Sequence, residues 1–143
     1  MYDVIILGGG PAGVTAALRA RELGAAVALI ERSNMGGTCT NDGCVPTRVL
    51  AKSARLVRDA QQFAEYGLTL DKQPQVDFAA VMRRTQQVVY QVQEKKQLLD
   101  HLNDVGVEVF AHAGYTHFVD PHTVELEDGR HIRAKSFVLC VGG

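Results

Sequence analysis

Val4-Ile5-Ile6-Leu7-Gly8-Gly9-Gly10-Pro11-Ala12-Gly13 is the stretch that decides the fold. Four apolar residues in a row make a short strand buried on both faces, as in a parallel sheet. Glycines end it, and Pro11 opens a helix over residues 11–23 that Gly24 closes. The small residues Ala12, Ala16, Ala17 and Ala20 give that helix a face that can lie close to a sheet. Residues 26–30 form a second apolar strand, ending at Glu31. Strand, helix and strand together occupy about thirty residues, the usual size of a βαβ unit.

The glycines satisfy G-x-G-x-x-G. Gly8 permits the tight turn, Gly10 lets backbone approach a pyrophosphate, and Gly13 allows close helix–strand packing. Backbone N–H groups at the helix start then face phosphate. The pattern alone is weak; here a strand precedes it, a helix follows, and an acid ends the next strand. Glu31 lies where a carboxylate accepts hydrogen bonds from ribose hydroxyls. A carboxylate there disfavours a 2′-phosphate, so the site is expected to hold FAD or NAD rather than NADP.

A second informative run is Gly36-Gly37-Thr38-Cys39-Thr40-Asn41-Asp42-Gly43-Cys44-Val45-Pro46-Thr47-Arg48. Free cysteine has a pKa of about 8.5, and a helix amino terminus can favour the thiolate. Both cysteines lie where a helix should begin, with Pro46 suited to its first turn. Five steps of regular helix advance about 7.5 Å, whereas a disulfide needs Cα atoms roughly 4.4–6.8 Å apart. If the pair oxidises, the segment cannot be regular helix across both residues, and Gly43 offers the freedom to bend it. The spacing is not C-x-x-C, which argues against a thioredoxin-like site and a zinc ribbon. No histidine lies near enough in sequence to complete a metal site.

The remaining pattern is mixed. A helix is expected over 45–66, with Leu50, Ala54, Val57, Ala60, Phe63 and Ala64 on one face. Residues 67–76 form a connector, and Asp77 caps a long helix to about residue 105, closed by Gly106. Strands are expected over 107–111, 115–119, 123–126, 131–133 and 136–141, with turns at Asp120-Pro121 and Asp128-Gly129. The fold class is therefore α/β: a Rossmann-like parallel sheet, flanking helices and a small antiparallel β-meander.

The totals set bounds. The 143 residues suffice for one domain, and 46% are apolar, enough for a core. Net charge is −1 with no basic run, so nucleic acid is not an expected partner. No apolar stretch approaches ~18 residues, which argues against a membrane span. Tyr2-Asp3 lead into a strand without a basic n-region, so a signal peptide does not fit. Three cysteines are too few for a secreted disulfide scaffold, and cytoplasm is the expected compartment. Cys140 reads as a small core residue, and the five histidines as structural or solvated.

With these residues in view, the chain resembles the FAD-dependent pyridine nucleotide–disulfide oxidoreductases. That group contains dihydrolipoamide dehydrogenase, glutathione reductase and mercuric reductase. The glycine fingerprint, Glu31, Gly-Gly-Thr-Cys, Gly-Cys-Val-Pro and the closing strand 137–143 carry the resemblance across the whole chain. It implies electron flow from NAD(P)H to FAD, then to a Cys39–Cys44 disulfide, then to a small-molecule or small-thiol disulfide substrate. By position, Cys44 would face the flavin and form the thiolate–flavin charge-transfer complex, and Cys39 would attack substrate. Gly8, Gly10, Pro11, Ala12, Gly13, Glu31, Arg32, Gly36, Gly37, Thr38, Arg48, Gly114 and Gly142 would serve the cofactor. Arg48 stands where the group usually has Lys, which keeps the charge in a larger, always-protonated fork. Cys140-Val141-Gly142 stands where Ala-Thr-Gly is common, without the threonine hydroxyl.

The resemblance also implies a chain about three times as long. Residues 1–143 would be the amino-terminal part of the FAD-binding domain. The nicotinamide-binding and dimerisation domains would lie outside it, and the full-length form would be a homodimer. The isolated chain is then expected to be inactive. Two other readings stay open: a non-catalytic FAD-binding fragment, and a flavin-free thiol redox sensor. Substrate identity and the choice of NADH or NADPH are not encoded in this segment.

Overall fold

The computed structural model describes residues 1–142. Gly143, at the end of the closing motif, lies outside the described residues. The elements run β1 (Tyr2–Leu7), α1 (Pro11–Glu22), β2 (Val27–Ile30), α2 (Gly37–Asn41), α3 (Cys44–Gln61), a 3-10 turn (Phe63–Tyr66), α4 (Phe78–Lys96), α5 (Leu98–Asp104), β3 (Glu108–Phe110), β4 (His117–Asp120), β5 (Thr123–Glu125) and β6 (His131–Leu139). The strand order is β3-β2-β1-β6-β5-β4. The first four strands are parallel, and β6-β5-β4 is an antiparallel meander. This is the expected α/β architecture.

Three layers follow from the period-two alternation of side chains along a strand. Ile5, Leu7, Ala28 and Ile30 point to one face of the parallel strands and meet Val124, Leu126 and Ala134. Ile6, Val27 and Leu29 point to the other and meet Ala17 of α1 and Leu102 of α5. Each large aliphatic side chain buried this way contributes ~1.5–3 kcal/mol. Exposed ion pairs such as Arg19–Glu22, at 2.9 Å, contribute ~0–1 kcal/mol. The apolar layers therefore set the stability, and the apolar runs 4–7 and 27–30 set the layers.

Four expectations are corrected. The loop before Cys44 contains a helix, α2. The helix expected over 45–66 begins at Cys44 and ends at Gln61, with only the 3-10 turn beyond. Its inner stripe is Val49, Ser53, Val57 and Ala60, while Leu50, Ala54 and Ala64 are exposed. The reason is that α3 packs on α4 and α2 and not on the sheet, so only a narrow face is covered. The long helix from Asp77 is two helices, because Gln97 adopts the left-handed conformation (φ 44°) and redirects the chain at Leu98. Finally, residues 131–133 and 136–141 form one strand. Its first part pairs with β5 and its second, from Ala134, with β1.

Asp77 caps α4 as expected: its Oδ1 accepts a hydrogen bond from the Ala80 N–H at 2.9 Å. Asp77→Ala is expected to cost about 1 kcal/mol, read as a lower urea midpoint.

The Tyr2 hydroxyl donates to Glu108, linking β1 to β3 across β2. Burial first, then that hydrogen bond and the carboxylate charge, push the Tyr2 phenol up to about 12. Between its ordinary value of 10.0 and about 12, the folded chain holds a proton that the unfolded chain has released. Stability from this group is thus intact below the ordinary value and lost as pH rises through the folded one. Tyr2→Phe should flatten that part of the pH–stability curve. Urea midpoints at about pH 9 and pH 11 check this.

Candidate functional site

Two backbone segments without side chains meet at the carboxyl end of the parallel strands. The β1–α1 turn is the first. Gly8 has φ +111°, and a Cβ there would overlap the Cys140 carbonyl oxygen. A Cβ on Gly13 would overlap the Gly8 carbonyl oxygen in turn. These two positions admit no other residue, because the obstacle is backbone that cannot rotate away. Gly10 differs: a Cβ there would meet only the Gly37 Cα, at 3.6 Å, and the backbone is ordinary (φ −75°). No side chain caps α1 and its first turn holds no acid, so its leading N–H groups stand ready for an anion.

The second segment is residues 36–44. The Gly36 N–H donates to the Gly9 carbonyl at 2.9 Å, setting the start of α2 on the glycine turn. At the end of α2 the N–H groups of Asp42 and Gly43 both donate to the Thr38 carbonyl, at 2.9 and 2.6 Å. Gly43, at φ −115° and ψ −102°, breaks the helical path before α3. The bend expected between the cysteines is therefore present.

Glu31 ties the glycine turn to the end of β2. It is 9% exposed. Its Oε2 accepts from the Gly9 N–H at 2.7 Å and its Oε1 from the Ser33 N–H at 2.8 Å. The carboxylate braces the glycine turn as well as facing the cleft. On the far wall the Gly114 N–H donates to the Arg32 carbonyl at 3.1 Å, and the Arg32 guanidinium lies 5.3 Å from the centre of the Tyr115 ring.

These walls enclose a cleft of about 630 Å³. Of the residues singled out by sequence, Gly8, Gly10, Pro11, Ala12, Glu31, Arg32, Gly37, Thr38, Cys39, Gly114 and Gly142 line it. Gly13, Gly36, Cys44 and Arg48 are not among the lining residues; Cys44 opens α3, and Arg48 sits one turn further along it on the exposed side. Sequence reasoning missed Ser33, Asn34, Asn41, Tyr115 and Thr116, which also line the cleft. Their only signal is adjacency to Arg32, Thr40 and Gly114.

Cys39 and Cys44 are both free thiols and both exposed. The Cys44 side chain, as a hydrogen-bonding neighbour, is the first cause that pushes the Cys39 thiol above its ordinary range. Partial desolvation and the charge of Cys44 add to it, while Lys96 and then Arg48 pull the other way. Cys39 is the third residue of the short α2 and Cys44 the first residue of α3, so the two thiols stand at the starts of two different helices and not of one. Among the described residues no group of three or more His, Cys, Asp or Glu side chains is arranged to hold a metal ion, and no helix is long and apolar enough to cross a membrane.

A family profile described as "Pyridine nucleotide-disulphide oxidoreductase" matches residues 2–143. The chain belongs to this family. It is 36% identical over 143 residues to a dihydrolipoyl dehydrogenase of Zymomonas mobilis, covering 99% of this chain and 30% of that one. It is 33% identical over 141 residues to a mercuric reductase of Staphylococcus aureus, covering 99% and 25%. Among solved structures, the HOCl-induced flavoprotein disulfide reductase RclA from Escherichia coli superposes with a TM-score of 0.70 at 31% identity, covering 99% of this chain and 28% of that one. The chain thus spans under a third of the length of these relatives.

Removing the Cys44 sulfur should free Cys39 from its strongest upward influence. In Cys44→Ala, the pH midpoint for alkylation of Cys39 is expected to fall, and its rate at pH 8 to rise about twofold or more. Peptide mass spectrometry after timed iodoacetamide treatment reads both.

Proposed function

We propose that residues 1–143 form the FAD-binding, redox-thiol part of an NAD(P)H-dependent disulfide oxidoreductase acting on a small-molecule or small-thiol disulfide. The observation that carries this reading is the junction itself. One cleft is lined by an uncapped helix start, a strand-end carboxylate and the exposed thiol of Cys39, five positions from the exposed thiol of Cys44. In the whole protein the nicotinamide cofactor would bind on a further domain, and two copies would assemble as a dimer, as the resemblance implies.

The residues present fit FAD. The leading N–H groups of α1 supply an anion cradle for a diphosphate. Glu31 offers acceptors beside that cradle for ribose hydroxyls. Gly10, Gly37 and Thr38 line the stretch between cradle and thiols, with little side-chain bulk to block an elongated ligand. When bound, FAD would supply two-electron exchange between NAD(P)H and the thiols.

The chain's own contribution is to hold that electron pair as thiols and release it. Loss of two electrons and two protons from Cys39 and Cys44 forms one S–S bond. A substrate disulfide takes up that same pair: a thiolate attacks one substrate sulfur, the other leaves as a thiolate, and the second cysteine resolves the mixed disulfide, releasing the first substrate sulfur as a thiol. The resemblance assigns the attack to Cys39 and the cofactor side to Cys44. Exposure of both sulfurs is what such exchange requires.

Two measurements on the 143-residue chain test this reading. Flavin absorbance should elute with the chain on gel filtration after mixing with FAD. Mild oxidation should remove two of the three thiols, with the loss mapped to Cys39 and Cys44. Gly10→Ala is the informative variant: the fold has room for the methyl group, so unfolding should be unchanged while FAD retention drops at least about tenfold. Disulfide formation without flavin retention would favour the thiol-sensor reading, and neither result would leave only the fold.

A further inference from the structure

α2 is five residues long and no side chain caps either end. A single turn of this kind does not hold itself together in water. What fixes it comes from far along the chain. Lys96 Nζ donates to the Thr40 hydroxyl oxygen at 2.7 Å, and Gln93 Nε2 donates to Asn41 Oδ1 at 2.6 Å. Gln93 and Lys96 are three apart on the last turn of α4, so they present to the same side. Thr40 is fully buried and sits beside Cys39. Asn41 passes the connection on, its Nδ2 donating to the Asn34 carbonyl at 3.0 Å on the cleft wall.

We propose that Gln93 and Lys96 are positioning residues for thiol chemistry at Cys39, clamping α2 at two points and holding the Lys96 ammonium on the residue next to that thiol. The clamp works through geometry first: it fixes Thr40 and Asn41, and so the direction of the side chain between Thr38 and Thr40. It works through charge second. Lys96 and Arg48 both lower the Cys39 pKa, and Lys96 has the larger effect of the two. The sequence points only to Arg48, because Lys96 is separated from Thr40 by 56 positions. This inference rests on reading Cys39 as the reactive thiol of the site.

The test is the pH profile of Cys39 alkylation by iodoacetamide on the reduced 143-residue chain, alongside its unfolding temperature. Lys96→Met should raise the Cys39 midpoint and slow alkylation at pH 8 about twofold to threefold. Arg48→Met should shift it less, and Lys96→Arg should restore the charge-dependent part. Raising salt from about 20 mM to about 0.5 M should lift the midpoint of the unaltered chain towards that of Lys96→Met. Gln93→Leu should leave the charge in place, yet raise the reactivity of Cys39 and Cys44 to a bulky maleimide as α2 loosens.

The proposal is overturned if Lys96→Met and the unaltered chain give superimposable pH profiles, whatever happens to the unfolding temperature. If Lys96→Met does not fold, the salt series on the unaltered chain decides alone: a midpoint insensitive to salt overturns the role of charge. Failure of the underlying reading looks different. In that case oxidation of the unaltered chain leaves all three thiols titratable.

Discussion

The Gly36 N–H to Gly9 carbonyl hydrogen bond is the constraint on which the site depends. It brings a cysteine-bearing segment onto a nucleotide-type turn with only backbone between them. That approach is possible because residues 8–10 and 36–37 are all glycine. A Cβ on Gly37 would stand 2.8 Å from the Gly10 Cα, closer than real contacts allow. Gly8, in turn, sits against the Cys140 carbonyl, so the last strand is locked to the first by backbone at the same point. The turn, the thiol segment and the end of β6 are three chain passages held at one place. Each forbids side chains that would spread the others apart. What remains is a cleft bounded mainly by peptide groups, with Glu31 as its buried charge, which suits an elongated polar ligand better than a compact apolar one.

The support beneath the cleft is uneven. β2 and the second half of β1 (Ile5 to Leu7) are covered on both faces by apolar layers and their side chains are buried. The α3–α4 pair has no such backing. It touches the remainder mainly through α2, and Leu56, Phe78 and Tyr90 are exposed along it. Opening of α3 and α4 therefore exposes far less new apolar surface than opening of the sheet, and local unfolding should favour it. The thiols lie on the seam between these regions: Cys39 on α2 against the rigid turn, and Cys44 at the start of the loosely supported α3.

This unevenness also explains what was legible in the sequence. β1, α1, β2 and the glycine turn are readable because their reasons are local: apolar runs long enough for one strand, a proline at a helix start, a strand-end acid. The bend at Gly43 is readable only on the condition that the two cysteines can pair, since regular helix would hold their Cα atoms too far apart for a disulfide. The α2 helix is not readable, since a five-residue turn bounded by Gly36 and Asp42 is stabilised by Gln93 and Lys96, more than fifty positions away. The break at Gln97 is hidden for a different reason. No glycine or proline marks it, and the redirected α5 is set by the burial of Leu102 against Val107 and Leu29. The fusion of two expected strands into β6 is hidden because its neighbours change midway, from β5 to β1, which disrupts simple alternation.

Thiol pairs at this spacing face opposing electrical demands, and the structure shows how they are balanced. A disulfide needs its two thiols close together, yet a neighbouring thiol raises the pKa of its partner and lowers the fraction present as thiolate. Cys39 has only a five-residue helix around it. Cations are then the available remedy, and two approach from different elements: Arg48 from α3 and Lys96 from α4. Because Lys96 also holds Thr40, any motion that carries α4 away removes the charge and the brace together. Thiolate character at Cys39 is thereby tied to closure of the α2–α4 contact, so the seam between the rigid sheet and the loose helices is also the place where reactivity is set.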